Sequence, residues 1–435
     1  NENLTSRGLL NNPDVQFLFS ALPQAAGSKG TPAFTPPASN LAGGKIGDVT
    51  VLPGAELTAP TNADHVGGRI ALIGANVTNA GRINTPDGQT ILAAGLQVGF
   101  TAHSSSDPSL RGLDTWVGAI KDPASALPEY AGTVTNTGII DAPRGNITMT
   151  GKRVNQMGIL TATTSVSLNG RIDLNASYDA VSNPAFDPTN SAFGAPFLYK
   201  SAGTVTLGRN SVTRILPEVL STEKVVGTKL ALPSQINMQG SVIHLQQDAM
   251  VLAPNADVSI KAGKWDFIAS ANAPKSNFIY SGGQVYLDKG AWINVAGSTD
   301  AVAQMTDNIV TLQLRGSEFA NSPLNRNNAG VRGVDITLDL RQQGTYNGFA
   351  WVGTPLADAT GYVGLIQRDV AQLTGAGGNV SIHSGGAVIM QPGSGIDVSG
   401  GFANYNGGMV RTTRLRYGNH IFDISQATPD RVYDG

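Results

Sequence analysis

Residues 138–149 read GIIDAPRGNITM, and this stretch contains the pattern that decides the fold. Two short segments, GIID and NITM, flank a turn that contains Pro143 and Gly145. Apolar and polar residues alternate in these segments, as they do in β-strands with one buried face. The first segment has near-copies: GRIN at 81–84, GRID at 170–173, AWINV at 291–295 and GIDV at 395–398. Repetition of this kind predicts a fold of stacked repeats.

The same alternation predicts further strands at DVTV (48–51), RIALI (69–73) and SVSL (165–168). Adjacent copies, Ile140 and Leu160 or Ile147 and Val166, are separated by about 20 residues, a spacing typical of solenoids. Short strands that each pair with their equivalent one coil above form a parallel β-helix. The predicted fold class is therefore all-β, a right-handed parallel β-helix of about fifteen coils with long loop insertions.

Two longer blocks also resemble each other. Residues 282–297 read GGQVYLDKGAWINVAG, and residues 377–386 read GGNVSIHSGG before the chain reaches GIDVSG at 395–400. The alignment pairs QVYL with NVSI and leaves AVIM (387–390) as one extra strand in the second block. We therefore expect these blocks to be two copies of one coil.

Composition agrees with a turn-rich β protein. The 435 residues include 53 glycines, whereas only 14% are charged and 6% aromatic, which argues against a helix-rich enzyme and against a charged disordered chain. No cysteine is present, so disulfides and cysteine-bound metals are excluded. The formal net charge of −2 gives no basic footprint for nucleic acid, and no apolar run has the length of a transmembrane segment.

The chain is expected to have three parts. Residues 1–42, which are rich in Pro, Ser, Gly and Ala, predict an extended arm. Residues 43–410 predict the β-helix, with insertions near 100–129, 178–200, 214–234 and 317–332 and one short helix at 365–373. Insertions on a solenoid pack on one face, and binding would be built there. Residues 411–435 predict a C-terminal extension or the start of further chain, and the whole reads as a fragment without a leader.

Acidic residues on one strand face are the main candidate for chemistry. In VDITLDLR (334–341), alternation places Asp335, Thr337, Asp339 and Arg341 on one face. Such a carboxylate ladder could bind calcium or serve as an acid/base pair of a β-helical polysaccharide lyase or hydrolase. The alternative is a solvated outer face on which Asp339 pairs with Arg341 or with a neighbouring coil.

Asn and Asp in the repeated segments are assigned a structural role. We expect these residues to occupy turn positions, where they adopt a left-handed φ or hydrogen-bond the backbone of the neighbouring coil. They are Asn84, Asp141, Asp173, Asn294 and Asp397. The five histidines lack metal-ligand spacing, and no hydrolase triad motif or phosphate loop is present, so no metal, cofactor or catalytic residue is predicted.

With repeats such as GRIN, GNITM and GGQVYL, the chain resembles the filamentous haemagglutinin family of large exoproteins over most of residues 43–410. LRGSEFANSPL (314–324) and WVGTPLAD (351–358) followed by GYV (361–363) are similar to segments in the bodies of such proteins. The Asn-Pro-Asn-Gly element typical of the family's secretion domain is missing, since residues 11–14 read NNPD. The resemblance therefore points to a body segment of the β-helical shaft.

The resemblance implies two-partner secretion through an outer-membrane partner, a location outside the outer membrane or at the bacterial cell surface, and attachment to cells or to other copies of the chain. We expect a structural or adhesive exoprotein rather than an enzyme. Its expected partners are other copies or further chain stacked end to end, and host or neighbouring-cell glycans. A carbohydrate-active β-helix that binds or cleaves polysaccharide and a passive stalk that presents another domain are the alternatives.

Overall fold

The computed structural model describes residues 17–20, 47–102, 111–121, 129–183, 185, 195–270, 274–299, 301–319 and 321–435. The chain forms two compact units. The first unit consists of Asn1–Glu218, Ala231–Gly297 and Ala376–Gly400, and the second of Val219–Leu230, Ser298–Gly375 and Gly401–Gly435. Strands predominate and the helices are short, so the all-β prediction is confirmed.

Three long parallel sheets make up most of the first unit. In spatial order, the first sheet contains Val49–Val51, Asn76–Asn79, Thr133–Asn136, Arg153–Gln156, Thr204–Leu207, Val242–Leu245, Gln284–Leu287 and Val388–Met390. The second sheet contains Glu56–Thr58, Arg82–Asn84, Ile139–Ala142, Ile159–Thr164, Val212–Pro217, Met250–Leu252, Trp292–Asn294 and Gly395–Asp397. The third sheet contains Arg69–Gly74, Gln89–Ala94, Asn146–Thr150, Arg171–Asn175, Gln235–Gly240, Asp257–Ala262 and Asn379–Ser384.

The chain visits the three sheets in a fixed rotation. Along the described residues of the first unit, a strand of the first sheet is followed by one of the second and then one of the third. Each strand pairs in parallel with its equivalent from the next pass, as Val134 does with Val154. In the strands between the two ends of each sheet, residues at every second position are buried, and the apolar ones from all three sheets belong to one hydrophobic cluster. Long parallel sheets are thus confirmed.

The register corrects three predictions. Ile140 pairs with Leu160 as expected, but Ile147 pairs with Ile172 and not with Val166. SVSL (165–168) is a turn, because the Ser165 hydroxyl accepts hydrogen bonds from the backbone N–H groups of Ser167 and Leu168. Each of the first two sheets holds eight strands, fewer than the fifteen coils expected, because the insertions take up much of the chain.

The two longer blocks were aligned incorrectly. Gln284–Leu287 pairs with Val388–Met390 in the first sheet, and Trp292–Asn294 pairs with Gly395–Asp397 in the second. Asn379–Ser384 belongs to the third sheet, where it pairs with Asp257–Ala262. AVIM (387–390) is therefore the true counterpart of QVYL, because apolar alternation is alike in all three sheets and does not identify the sheet.

Antiparallel insertions of the first unit lie in one kind of connection, the one between a third-sheet strand and the next first-sheet strand. We call it the third-to-first corner. The inserted strands are Phe17–Ser20 with Gln97–Ala102 and Leu113–Val117, Ser177–Tyr178 with Ser201–Ala202, Val181–Ser182 with Phe197–Leu198, and Lys264–Ile268 with Lys275–Ile279. Phe17–Ser20, which joins this set by pairing with Gln97–Ala102, is the only part of the predicted 1–42 arm within the described residues.

The second unit has its own core and is not predicted from the sequence. Leu314, Phe319, Leu338, Leu356 and Tyr433 form part of its buried cluster. Its strands are Val225–Val226, Ala301–Gln304, Ile309–Gln313, Asp335–Asp339, Gln343–Tyr346, Phe349–Thr354, Ala357–Asp358, Gln367–Arg368, Ala403–Asn406, Arg414–Tyr417 and His420–Asp423.

The helices formed by the described residues are all short. The α-helices are Thr360–Val363 and Val370–Leu373, and the 3-10 helices are Met305–Asn308, Gly316–Phe319, Pro323–Asn325 and Ile424–Gln426. The helix expected at 365–373 is therefore formed only by Val370–Leu373, because Gln367–Arg368 is a strand. None of the helices in the described ranges has the length and apolar character needed to cross a membrane.

Candidate functional site

A groove of about 330 Å³ lies on the outer face of the third sheet. Strand Leu113–Val117, inserted at the third-to-first corner, forms one wall through Leu113, Asp114 and Thr115. Four successive third-sheet strands supply the rest of the lining: Thr148, Arg171, Asp173, Leu174, Asn175, Gln235, Asn237, Met238, Gln239, Ser259 and Lys261. The groove therefore lies beside an insertion, which is where the sequence predicts binding.

Polar side chains line the groove in columns because the parallel register is exact along the third sheet. Thr148, Asp173, Asn237 and Ser259 occupy equivalent positions on four neighbouring strands. The Asn237 side-chain amide donates a 2.8 Å hydrogen bond to Asp173 Oδ1, which fixes both groups. A second column contains Asn175, Gln239 and Lys261. The groove thus presents closely spaced donors and acceptors.

The groove contains one paired and one unpaired cation. Arg171 Nε lies 2.8 Å from Asp173 Oδ2, whereas Arg171 Nη1 is buried and has no hydrogen-bond partner among the described residues. No ion pair to Lys261 is present in the part of the chain that the structure describes. Thr115 is only 7% exposed, and its hydroxyl also lacks a partner there. Buried polar atoms without partners are uncommon and call for a ligand or water.

Aromatic rings from three insertions pack at the end of the groove. Trp116 stacks on Tyr199 with centroids 4.9 Å apart, and Tyr199 contacts Trp265 at 5.2 Å. The Tyr199 hydroxyl donates to the Thr115 carbonyl at 3.2 Å, and burial raises the pKa of Tyr199 well above its ordinary value. Trp265 Nε1 donates to Ser177 Oγ at 3.0 Å. These contacts join the three insertions to one another.

The aromatic series continues along the third sheet beyond Lys261. Trp265 contacts Phe278, which contacts Tyr280. Tyr280 stacks on His383 with centroids 5.1 Å apart, and His383 pairs in register with Lys261. Tyr280 is 43% exposed, so its ring is accessible beside the polar columns. His383 is therefore stacked within strand Asn379–Ser384.

The acidic strand predicted to be a candidate site lies in the second unit. Asp335–Asp339 pairs with Ile309–Gln313 in an antiparallel ribbon, not with a parallel neighbour. Arg341 donates to both carboxylate oxygens of Asp339 at 2.9 and 2.6 Å, and Asp335 accepts from the Gln313 amide at 2.8 Å. Burial alone would raise the pKa of Asp339, but the hydrogen bonds and charge of Arg341 lower it below its ordinary range. This arrangement corresponds to the alternative in which Asp339 pairs with Arg341 and the strand is not a catalytic or calcium site.

The five predicted turn positions lie in strands and none has a left-handed φ. Asn84, Asp141, Asn294 and Asp397 occupy one column of the second sheet, whereas Asp173 belongs to the third. Asp141 accepts from Arg82 on the neighbouring strand at 2.7 Å. The side chains of Asn294 and Asp397 accept from the backbone N–H two residues ahead. The expectation of left-handed backbone is therefore wrong at these residues.

Left-handed residues occur instead in the turns that precede strands. They include Asp87 and Arg144, with φ of 56° and 53°. Arg144 Nε lies 2.6 Å from Asp87 Oδ1, and Arg144 Nη1 lies 2.8 Å from Glu218 Oε1. Burial raises the pKa of Asp87, but hydrogen bonds and charge from Arg144 outweigh burial and lower it overall. This cluster ties successive passes together at the entrance to the third sheet.

No cluster of three or more metal-ligating side chains is present among the described residues, and His103 lies outside them. Sequence analysis did not identify the groove residues Asp173, Asn237 and Lys261 as a site. The available signal was the run of polar outward positions on successive third-sheet strands. Reading that signal requires the strand register, which the uneven spacing of these strands conceals.

Comparison with protein-family models gives no match to this chain. No curated protein and no solved structure matches it significantly. Function is therefore inferred from the sheets and side chains described above.

Proposed function

We propose that the chain is a body segment of the shaft of a large bacterial exoprotein of the filamentous haemagglutinin type, with a structural and adhesive role outside the outer membrane. The observation that carries this proposal is the fixed rotation of the chain through three parallel sheets with one shared hydrophobic cluster. Such a rotation is what a parallel β-helix produces, and the preference of parallel crossovers makes a right-handed helix the natural arrangement. Export would use an outer-membrane partner.

The terminal strands support a role in end-to-end association. Val388–Met390 is the last strand of the first sheet, and Val388, Ile389 and Met390 are 47%, 40% and 44% exposed. At the other end, the inward-facing Leu57 and Ile70 are only partly buried. Unpaired backbone and apolar side chains at a sheet edge favour pairing with another strand. A head-to-tail contact of this kind repeats and yields filaments.

Ile389→Lys tests end-to-end association. A lysine on the edge strand should prevent strand pairing between copies, because a charged edge blunts the template for a further strand. Sedimentation velocity over a range of concentrations should show assembly of the wild type and a single species for the variant. Thr206→Lys, on a first-sheet strand paired on both sides, is the matched control and should assemble like the wild type. Equal assembly of both variants would contradict the proposed contact.

A carbohydrate-active β-helix is the second candidate function, and the groove beside the insertions favours its binding form over cleavage. Asp173, one of two carboxylates in the groove, is neutralised by Arg171 and hydrogen-bonded by Asn237. Glycoside cleavage in most enzymes uses two carboxylates with separate acid and base roles. Incubation with soluble polysaccharides should therefore release no new reducing ends or unsaturated products, and their release would favour an enzyme.

A further inference from the structure

We infer that the groove on the third sheet is a binding site for a neutral oligosaccharide that lies along the polar columns from Thr115 towards His383. This inference rests on the proposed adhesive role and names the ligand class of that role. It is carried by the side-chain chemistry, charge balance, unpartnered atoms and aromatic surroundings of the groove.

The polar groups of the groove match the chemistry of sugar hydroxyls. A hydroxyl both donates and accepts hydrogen bonds, and the groove offers amides, hydroxyls, a carboxylate and a guanidinium in neighbouring register positions. Asn237 is held by Asp173, and Gln239 donates to Ser177 Oγ at 3.2 Å, so these amides are oriented before any ligand arrives. Orientation in advance reduces the entropy lost on binding.

The charge of the groove favours a neutral ligand. Two cations, Arg171 and Lys261, and two carboxylates, Asp114 and Asp173, line it. Equal numbers of opposite charges give no net attraction for a polyanion such as nucleic acid or a sulfated glycan. The polar lining also disfavours an apolar ligand, because such a ligand would leave these groups desolvated without partners.

Three unpartnered atoms of the lining point to a ligand within the groove. Thr115 Oγ1, Arg171 Nη1 and Asn175 Oδ1 are buried and have no hydrogen-bond partner among the described residues. Thr115 lies on the insertion wall and Arg171 on the sheet, so their polar atoms belong to the two sides of the groove. A polyhydroxylated ligand between these sides supplies an acceptor for the guanidinium and a partner for the hydroxyl.

Aromatic rings supply the remaining element of a sugar site. Trp265 is half-buried and is fixed by its hydrogen bond to Ser177, the same hydroxyl that Gln239 contacts. Tyr280 is accessible further along the sheet, stacked on His383. The apolar C–H face of a pyranose packs against such rings, while its hydroxyls face the polar columns. Hydroxyl and ring recognition thus run side by side along the third sheet.

Titration calorimetry of the full chain with oligosaccharides of glucose, mannose, galactose and N-acetylglucosamine tests the inference. The double variant Asn237→Ala, Gln239→Ala should bind the preferred sugar roughly 10- to 30-fold more weakly, since it removes two polar contacts. The control is Asn155→Ala, Thr206→Ala on the outer face of the first sheet, where Asn155 donates to Thr135 across strands as Asn237 does to Asp173. Control and wild type should bind equally.

Three results would overturn the inference: no binding of any neutral sugar by the wild type, binding only of sulfated or uronate-containing sugars, or equal loss in the groove variant and the control. Sedimentation of the groove variant is measured in parallel and should match the wild type. If the groove variant loses sugar binding but assembles normally, the substitutions affect only the groove and not the proposed end-to-end contact. Absent assembly with normal sugar binding contradicts the proposed shaft contact and leaves the groove in place.

Discussion

Asp87 helps to tie successive passes of the chain together at the entrance to the third sheet. Its side chain is fully buried and pairs with Arg144, which belongs to the next pass of the chain and also pairs with Glu218. Both Asp87 and Arg144 have a left-handed φ, so the ion pair also offsets backbone strain in two turns. Because the pKa of Asp87 is lowered in the folded chain, this carboxylate stabilises the fold above about pH 4 and stops doing so as the pH falls through the lowered value.

Asp87→Asn should lower the free energy of unfolding by about 3 kcal/mol at pH 7, because it leaves the partly buried guanidinium of Arg144 without its ion pair to a fully buried carboxylate. The deficit should shrink as the pH falls from about 4 through the lowered pKa of Asp87, because the stabilisation by the wild-type carboxylate is lost over that range. Urea unfolding at neutral and acidic pH measures both effects. Asp141→Asn is the control, since its partner Arg82 is 55% exposed, and it should cost at most about 1 kcal/mol. Equal costs for the two variants would contradict the role of Asp87.

Asp335 and Asp339 should not bind calcium. Arg341 occupies both oxygens of Asp339, and Asp335 is bonded to Gln313, so no cluster of free carboxylate oxygens is left for the ion. Millimolar calcium should leave the thermal unfolding midpoint unchanged, because a ligand that binds the folded state raises it. Magnesium at the same concentration controls for ionic strength. If calcium raised the midpoint and Asp339→Asn abolished that rise, the acidic strand would be a calcium site and the expectation would be wrong.

At residue scale the sequence predicts some ion pairs within a strand, but it does not predict which residues have a left-handed backbone conformation. The Asp339–Arg341 pair follows from strand alternation, because two residues of one strand separated by one position share a face. The left-handed positions do not follow, since Arg144 is not a residue type that favours such φ values. Its conformation depends on carboxylates supplied by two other passes of the chain, Asp87 and Glu218.

The first sheet contains an internal amide ladder that stabilises the early passes of the chain. Asn79 donates to Asn136, and Asn136 donates to Gln156, each at 2.8 Å and with all three side chains fully buried. The same column continues with Leu207 and Leu245 on later strands. Three of the eight residues in this column are therefore polar, and the other five, among them Leu287 and Met390, are apolar. A buried amide is stable only while its neighbours satisfy it, which makes the ladder cooperative.

Asn136→Leu should lower the free energy of unfolding by about 2–3 kcal/mol, because it removes the two buried hydrogen bonds that join the Asn136 side chain to those of Asn79 and Gln156. Replacing Asn79, Asn136 and Gln156 together by leucine should recover most of that loss, since the column then resembles its later half. Urea unfolding of the single and triple variants measures the difference. A triple variant less stable than the single one would contradict the cooperative ladder.

At the scale of elements, alternation of apolar residues predicts where most inner strands lie in the sequence. It does not predict which strands pair with one another. RIALI and NITM are strands because apolar residues at every second position can be buried on one face. SVSL has the same alternation and forms a turn, because the Ser165 hydroxyl competes for backbone N–H groups. The groove depends on which outward positions align across strands. Insertions and turns of unequal length separate those strands, so sequence spacing does not reveal the columns.

The whole molecule consists of two units, and only the first follows from the repeats. The second unit is assembled from three separate segments, Val219–Leu230, Ser298–Gly375 and Gly401–Gly435. Each of these segments follows a second-sheet strand, just as the antiparallel insertions follow third-sheet strands. The inserted segments thus occur in two kinds of connection: after second-sheet strands, and after third-sheet strands at the third-to-first corner. The joint core of the three segments depends on long-range contacts that no local period of the sequence encodes.

Electron cryo-microscopy of the full chain, at concentrations from dilute to high, tests most directly the claim that this is a self-associating structural shaft. We expect filaments in which the sheets of one copy continue into those of the next through Val388–Met390, with the three sheets closed around one core. Single particles at every concentration, or three sheets that do not enclose a common core, would contradict it.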